Sequence, residues 1–236
     1  MNFETFEPVY EAILDDFGFD RAADERARDI AAEFATPFPF DRLESWTDRT
    51  VAIAGAAPCL EAEVAVARDA DVVVAASTAA DVLGDAGVDV DCMVTDLDKN
   101  PGTARVLTSR GVPVVAHAHG DNVSAVREWL PRFDPEWTLV TTQAAPRGAV
   151  RNLGGFTDGD RAAFLADHVG AGRLVFPGWS FDDPNVGLMK ARKLRWAARL
   201  LRWLERRREE RFAVLDGWRH RIDDGSAVGD GRWSVE

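Results

Sequence analysis

The stretch VVVAASTAADVLGDAGVDVDCMVTDLDKN (72–100) carries the pattern that decides the fold of this chain. Two short apolar runs, at 72–76 and 92–96, flank a helix-compatible segment at 78–86. The runs are continuous rather than alternating, which is typical of strands buried on both faces of a parallel sheet. The stretch therefore predicts a strand, a crossover helix and a second strand parallel to the first.

The same unit repeats on both sides of this stretch. Further apolar, β-branched runs occur at 51–55, 112–118, 138–142 and 173–178. Helix-compatible segments separate the runs, at 59–69, 101–110, 122–133 and 158–169. We therefore predict an α/β fold with a mostly parallel, Rossmann-like sheet flanked by helices.

Helical patterns precede and follow the predicted sheet. We divide the chain into a helical N-terminal segment (1–48), an α/β catalytic core (49–187), and a C-terminal helix with its tail (188–236). Leucines and alanines give the long helix at 188–212 one apolar face, and we expect its charged end, ERRREER (205–211), to be solvated.

The tail after Phe212 contains Trp218 and Trp233 among glycines and aspartates. Its pattern suits either a short hairpin or a loosely ordered end. Exposed tryptophans there would suit a contact between two copies of the chain, so a homodimer is one expected partner state.

Composition limits the function and the compartment. The formal net charge of −12 disfavours nucleic acid as a partner, because a chain this acidic repels a polyanion. Only three of the 28 basic residues are lysines, and an acidic excess with few lysines suggests adaptation to high salt. No apolar run reaches the roughly 18 residues of a membrane helix, and the acidic start does not resemble a secretory signal. With only Cys59 and Cys92, a disulfide framework is not indicated. We predict a cytoplasmic protein with no membrane contact.

Carboxylates follow two of the predicted strands, where ligands bind in open α/β sheets. Asp96 and Asp98 end the third strand in VTDLD (94–98), and Asp121 follows the fourth in HAHGDN (117–122). Mg²⁺ prefers one or two carboxylates together with water and substrate phosphates. The pattern favours a Mg²⁺ site formed by the three aspartates. The alternative is that Asp96 or Asp98 merely caps the next helix.

Two histidines, His117 and His119, lie on the same face of the fourth strand end. Such a pair is also found in metal hydrolases that bind zinc or manganese. We favour the interpretation that one histidine packs under the sheet edge and the other bonds a phosphate or a carboxylate, because His168 and His220 do not follow strands.

Three further segments suit phosphate binding. GAAPCL (55–60) is a weak phosphate-loop candidate, and by itself we favour a plain strand-to-helix turn for it. In NLGGFTDGDR (152–161) the glycine pair suggests a flexible approach, the acids can cap a helix, and Arg161 suits phosphate oxygens. Lys190 and Lys193 share a helix face and could clamp phosphate, or could be ordinary surface lysines.

These segments together resemble the archaeal 6-hydroxymethyl-7,8-dihydropterin diphosphokinases, distant relatives of thiamine pyrophosphokinases. The match is carried by GAAPCL (55–60), VTDLDKN (94–100), AHAHGDN (116–122), NLGGFTDGDRAAFLA (152–166) and KARKLRWA (190–197). The resemblance implies that ATP and 6-hydroxymethyl-7,8-dihydropterin are the partners. The hydroxymethyl oxygen would attack the β-phosphorus of ATP and release AMP.

The resemblance also implies residue roles. Asp96, Asp98 and Asp121 would hold Mg²⁺, and His119 or Asp121 would accept the hydroxyl proton. Residues expected to bind the substrates are Gly55, Pro58, Ser77, Thr95, His117, Asn122, Gln143, Asp158, Asp160, Arg161, Lys190 and Lys193.

The chain departs from the family at AASTA (75–79), where an AADGA-like segment is usual, so that one carboxylate and one glycine are missing. Three alternatives remain open: a thiamine pyrophosphokinase-like enzyme, an HxH metal hydrolase, and a nucleotide-binding module without activity.

Overall fold

The computed structural model describes residues 1–223 and confirms the predicted α/β architecture. Its strands are β1 (Thr50–Ala54), β2 (Val72–Ala76), β3 (Cys92–Thr95), β4 (Val114–Ala118), β5 (Thr138–Thr142) and β6 (Arg173–Val175). They form one six-stranded sheet in the order β5-β4-β3-β2-β1-β6, and every neighbouring pair is parallel. Each predicted apolar run therefore supplies one strand.

Helices connect and flank the strands. The α-helices are α1 (Phe3–Phe17), α2 (Arg21–Ala32), α3 (Leu60–Arg68), α4 (Ala79–Asp85), α5 (Pro101–Ser109), α6 (Val123–Trp129), α7 (Asp158–His168), α8 (Leu188–Arg207) and α9 (Arg219–Asp223). Short 3₁₀ turns occupy Phe40–Trp46, Leu130–Arg132, Pro135–Trp137 and Ala213–Leu215. None of the helices within residues 1–223 is both long and apolar enough to cross a membrane.

Both faces of the sheet are buried, as the continuous apolar runs predicted. Strand β1 directs Val51 and Ile53 into one apolar cluster and Ala52 and Ala54 into the other, because successive side chains of a strand point to opposite faces. Burying one large aliphatic side chain contributes about 1.5–3 kcal/mol. The first cluster also contains residues of α1, α7 and α8, and the second contains residues of α2 to α6.

The two N-terminal helices consequently lie on opposite faces of the sheet. Helix α1 packs with α7 and α8, whereas α2 packs on β4, β5 and α6. Gly18 ends α1 in the left-handed conformation (φ 66°), and Asp20 caps α2 by accepting a hydrogen bond from the Ala22 amide. The segment predicted to precede the catalytic core therefore wraps around it.

Two predictions for the C-terminal part are wrong. Leu188, assigned to the apolar face of α8, is 88% exposed. Glu205, placed in a solvated run, is buried and accepts hydrogen bonds from Arg219 and from the Phe212 amide (2.7 Å). This carboxylate fixes the turn after α8, which a local charge pattern cannot reveal.

The described part of the tail is helical rather than a hairpin. Trp218 is half-buried, with its ring centroid 5.5 Å from that of Phe181, so it is not the freely exposed contact that the sequence suggested. Trp233 lies outside the described residues.

Candidate functional site

A cleft of about 930 Å³ opens at the carboxyl ends of the strands, where the sheet rule predicted a site. Five neighbouring strands each contribute a lining residue just after the strand ends, so these residues follow one another along the cleft in the order of the strands. They are Gln143 after β5, His119 after β4, Asp96 after β3, Ser77 after β2 and Gly55 after β1. The predicted site residues that line the cleft are Gly55, Pro58, Ser77, Asp96, Asp98, His119, Asp121, Gln143, Asp158, Arg161, Lys190 and Lys193. The predicted residues Thr95, His117, Asn122 and Asp160 lie behind this wall.

The centre of the cleft is the acidic turn that follows β3. Leu97 adopts a left-handed conformation (φ 67°), which costs a non-glycine residue about 1–3 kcal/mol. Its side chain is buried in the second apolar cluster, which holds the turn in place. Asp96 and Asp98 flank it and face the cleft, and the Asp98 amide donates to Asp96 Oδ1 at 3.3 Å. His119 Nε2 lies 3.7 Å from Asp96 Oδ2.

Three carboxyl groups at this centre influence each other's ionisation. Burial raises the pKa of Asp98 to about 6, and the neighbouring Asp96 adds to the rise. Burial also raises the pKa of Asp158 to about 7, again with a contribution from Asp96. Burial acts to raise the pKa of Asp96 too, but its interaction with His119 and the charge of Arg161 outweigh burial and leave that pKa well below its usual range. The centre thus holds negative charge that a cation would relieve.

Asp121 stands apart from this pair. It is exposed, and its amide donates to His119 Nδ1 at 3.4 Å. Within residues 1–223 no three carboxylate, imidazole or thiol groups are grouped so as to hold a metal ion by themselves. The three predicted aspartates therefore share the cleft without forming a ready-made three-ligand site.

Asn122 and Thr95, predicted to bind substrate, instead build the loops. Asn122 Nδ2 donates to the carbonyl oxygens of Asp96 (2.6 Å) and His117 (2.7 Å), and its Oδ1 accepts from the His119 amide (2.9 Å). Thr95 Oγ1 accepts from the Leu97 amide at 3.0 Å. Asn122 thus ties the acidic turn to the histidine loop.

His117 is also a structural residue in this arrangement. It is only 2% exposed, and its Nδ1 lies 3.0 Å from Thr141 Oγ1. Burial and the positive charge of Arg161 keep its pKa well below the usual range. Since only His119 of the pair faces the cleft, the geometry does not favour the HxH metal hydrolase.

Asp160 holds the start of α7 rather than a ligand. It is fully buried, accepts hydrogen bonds from the Phe156 and Thr157 amides, and completes a capping box with Thr157. The preceding Gly155 is not a flexible approach either. Its φ is +93°, and a Cβ there would lie 2.7 Å from the backbone of Arg161. This tight start of α7 directs Arg161 into the cleft.

Gly55 has a packing role that the sequence did not show. A Cβ at this position would lie 2.4 Å from the Gly178 carbonyl oxygen and 3.0 Å from the ring of Trp179. Trp179 Nε1 donates to the Ile53 carbonyl at 2.8 Å, and the ring forms part of the cleft wall. Gly55 is therefore needed for the close approach of the β1 and β6 loops, whatever ligand binds there.

Ser77 stands where the resemblance implies an acidic residue. It adopts φ 51°, in the left-handed region that favours glycine, and its amide donates to the Val94 carbonyl at 2.8 Å. Its buried Oγ has no hydrogen-bond partner within the described chain, although the residue lines the cleft. A ligand or water in the cleft would satisfy this hydroxyl.

All three lysines of the chain line this one cleft. Lys99 follows the acidic turn, and Lys190 and Lys193 come from the start of α8. No lysine ammonium lies within 4.0 Å of a carboxylate in the part of the chain that the structure describes, whereas arginines form many ion pairs. Burial and the charge of Lys99 lower the pKa of Lys190. Lys99 was missed because a lysine beside aspartates is typical of a solvated turn.

Sequence reasoning also missed Phe19 and Asp24, which reach the cleft from the helical segment assigned outside the core. Asp24 is 4% exposed and shares the buried face of α2 with Ala27 and Ala31. The signal was present, because a carboxylate at helical spacing with buried alanines interrupts an apolar stripe. Only the packing of α2 against the sheet shows where that stripe lies.

Comparison with known proteins gives a consistent result. A family model described as "6-hydroxymethylpterin diphosphokinase MptE-like" matches residues 28–185. A 6-hydroxymethyl-7,8-dihydropterin pyrophosphokinase from Methanothermobacter thermautotrophicus is 37% identical over 222 residues, which cover 86% of this chain and 95% of that protein.

Proteins of the same name from two other organisms match over similar spans. The one from Pyrococcus furiosus is 37% identical over 227 residues, covering 87% of this chain and 95% of that protein. The one from Methanocaldococcus jannaschii is 28% identical over 242 residues, covering 90% and 99%. The fold, the cleft and these matches together place the chain in the MptE-like 6-hydroxymethylpterin diphosphokinase family.

Proposed function

We propose that this protein transfers the terminal diphosphate of ATP to the hydroxymethyl group of 6-hydroxymethyl-7,8-dihydropterin. The hydroxymethyl oxygen forms a bond to the β-phosphorus, the bond from that phosphorus to the oxygen of the α-phosphate breaks, and AMP leaves. The observation that carries the proposal is the meeting of the acidic turn with all three lysines in one cleft. The names of the three relatives support the choice of substrate.

The acidic turn fits Mg²⁺ as the metal. Asp96 and Asp98 would hold it, since Mg²⁺ takes one or two carboxylates and completes its shell with water and substrate phosphates. The raised pKa values of Asp98 and Asp158 point to the same role, because a bound cation would stabilise their ionised forms. When bound, Mg²⁺ would neutralise charge on the phosphate oxygens and so favour their approach to the hydroxymethyl oxygen.

Positive side chains line the same cleft from three elements. Lys99 belongs to the acidic turn, Lys190 and Lys193 to α8, and Arg161 to α7. Transfer of a phosphoryl-type group depends on positioning and on stabilisation of developing charge. We assign these four residues to the phosphate oxygens of ATP, which supplies the anionic partner that the lysines lack in the described chain.

We assign the role of proton acceptor to Asp121 rather than His119. The Asp121 amide donates to His119 Nδ1, which places the ring proton on Nε2, the nitrogen that faces Asp96. In that tautomer the Nε2 proton of His119 faces the Asp96 carboxylate, 3.7 Å away. Asp121 is exposed in the cleft wall and free to take the hydroxyl proton as the new bond forms.

The test is the rate of AMP formation from ATP, Mg²⁺ and the dihydropterin. Asp96→Asn and Asp98→Asn should each lower kcat/KM at least about 100-fold, the scale typical of losing one transition-state contact. Asp29→Asn is the matched control, because Asp29 pairs with Arg28 and Arg147 outside the cleft. Wild-type rates in both cleft variants would contradict the proposal. Thiamine as the sole acceptor tests the thiamine pyrophosphokinase alternative, for which no turnover is expected.

Ser77 and Thr78 favour one second candidate, a nucleotide-binding protein without activity. The strained serine stands where the resemblance implies an acidic residue, so one charge expected at the site is missing. Binding of ATP without AMP formation, under conditions in which the chain is folded, would support that candidate.

A further inference from the structure

The corner between α1 and α2 forms one end of the cleft. Because these helices lie on opposite faces of the sheet, the connecting residues 18–20 cross its carboxyl edge. Contacts of α2 with β4 and β5 place the corner at the end of the sheet opposite β1 and β6. The cleft therefore has one end built by the corner and another built by the loops after β1, β2 and β6.

The corner end has an aromatic wall. The Phe19 ring stacks on Phe17 at a centroid distance of 5.1 Å and an angle of 18°. Phe17 contacts Phe156, also at 5.1 Å, and both Phe19 and Phe156 line the cleft. A row of rings at a cleft wall offers apolar faces on which a flat heterocycle can stack.

The same end has a buried polar group that faces the cleft. Asp24 accepts hydrogen bonds from the Tyr10 hydroxyl (2.9 Å), the Gly120 amide (2.8 Å) and Gln143 Nε2 (2.8 Å). Gln143 Oε1 in turn accepts from Arg161. Three hydrogen bonds hold the Asp24 carboxylate in place. Because a carboxylate can accept about four, about one acceptor site remains for a ligand in the cleft that this residue lines.

We infer that this corner binds the bicyclic ring of the pterin, with Asp24 accepting one hydrogen bond from its N–H edge and Phe19 covering a face. The inference rests on the proposed function, because it names where one of its two substrates lies. A pterin has flat faces and an edge on which N–H donors adjoin a carbonyl, which a fixed carboxylate beside an amide can match. ATP then occupies the end formed by the β1, β2 and β6 loops, and the hydroxymethyl group points to the acidic turn between them.

Calorimetric titration tests the assignment with two ligands separately: 6-hydroxymethyl-7,8-dihydropterin, and Mg²⁺ with α,β-methylene-ATP, whose α–β bridge resists cleavage. Phe19→Ala and Asp24→Asn should weaken pterin binding at least about 10-fold, as expected for a lost ring contact or a charged hydrogen bond. Both variants should bind the nucleotide analogue within about twofold of the wild type. Asp29→Asn on the same helix should leave both affinities unchanged.

Two results overturn the inference: wild-type pterin affinity in the corner variants, or an equal loss of affinity for both ligands. If Asp24→Asn does not fold, as judged by thermal unfolding, Phe19→Ala decides, because Phe19 is only half-buried. Failure of the proposed function has a different signature. In that case the wild-type protein itself neither binds nor converts the dihydropterin.

Discussion

Replacing Asn122 with alanine should loosen the acidic turn and the histidine loop together, because its side chain joins them. The change removes hydrogen bonds to the Asp96 carbonyl, the His117 carbonyl and the His119 amide. At about 1 kcal/mol net for each, the free energy of unfolding should fall by about 3 kcal/mol. The carboxylate of Asp96 would lose its fixed position, and misplacement by about 1 Å can cost about 10²-fold in rate.

Two measurements on the same preparation check this expectation. Denaturant unfolding followed by tryptophan fluorescence gives the stability loss, and AMP formation at a temperature where the variant is folded gives kcat/KM. Thr108→Val is the matched control. Thr108 is buried outside the cleft, donates to the Arg105 carbonyl and accepts from the Asp134 amide, so its loss should cost about 2 kcal/mol without lowering activity.

The comparison separates a positioning role from a merely stabilising one. Asn122→Ala should lose activity well beyond what the fraction of unfolded protein explains, and Thr108→Val should not. If both variants lose stability and both keep wild-type kcat/KM, Asn122 does not position the acidic turn.

Three further predictions concern charge. At pH 8 Asp158→Asn should raise the stability of the ligand-free protein by about 1–2 kcal/mol while lowering activity. Because the folded pKa of Asp158 is raised to about 7, the contribution of this residue to wild-type stability falls as pH rises from about 4 to 7. Equal stabilisation by the substitution at pH 5 would contradict this cause. Glu205→Gln should cost about 3–5 kcal/mol in urea unfolding, since Arg202 and Arg219 lose their buried partner. Burial acts to raise the pKa of Glu205, but hydrogen bonds from the arginines and from the Phe212 amide outweigh burial and lower it. The stabilisation by Glu205 is therefore present above the pKa of the unfolded state and is lost as pH falls through the pKa of the folded state. The unfolding temperature should rise between about 0.1 and 2 M KCl, because salt screens the net charge of −12, and a flat or falling curve would refute the high-salt interpretation.

The sheet was predictable because its physics is local. Runs such as VVVAA (72–76) need burial on both faces, and alternation with helix-compatible segments leaves few topologies besides a parallel sheet. The same logic located the acidic turn and His119, since side chains that follow parallel strands share one edge. Strand order, which sets the distance between those side chains, was not readable from any single segment.

The errors arose where a residue's role depends on a distant partner. The close packing of Gly55 against Gly178 and Trp179 was not predicted, because those two residues are distant from it in the sequence. Asp160 was predicted to bind a substrate, but it caps helix α7. A carboxylate can accept hydrogen bonds in either role, so the residue type alone does not distinguish them. Asp24 received no prediction, because only the packing of α2 on β4 and β5 brings it to the cleft.

We propose that the acidic turn and the lysines direct a β-phosphorus, rather than a γ-phosphorus, to the hydroxymethyl oxygen. Mass analysis of a reaction containing the protein, ATP, Mg²⁺ and 6-hydroxymethyl-7,8-dihydropterin distinguishes the two. We predict AMP and the pterin diphosphate in equal amounts, and neither product with Asp96→Asn. Formation of ADP with a pterin monophosphate, or of the diphosphate at an undiminished rate by Asp96→Asn, would contradict the claim.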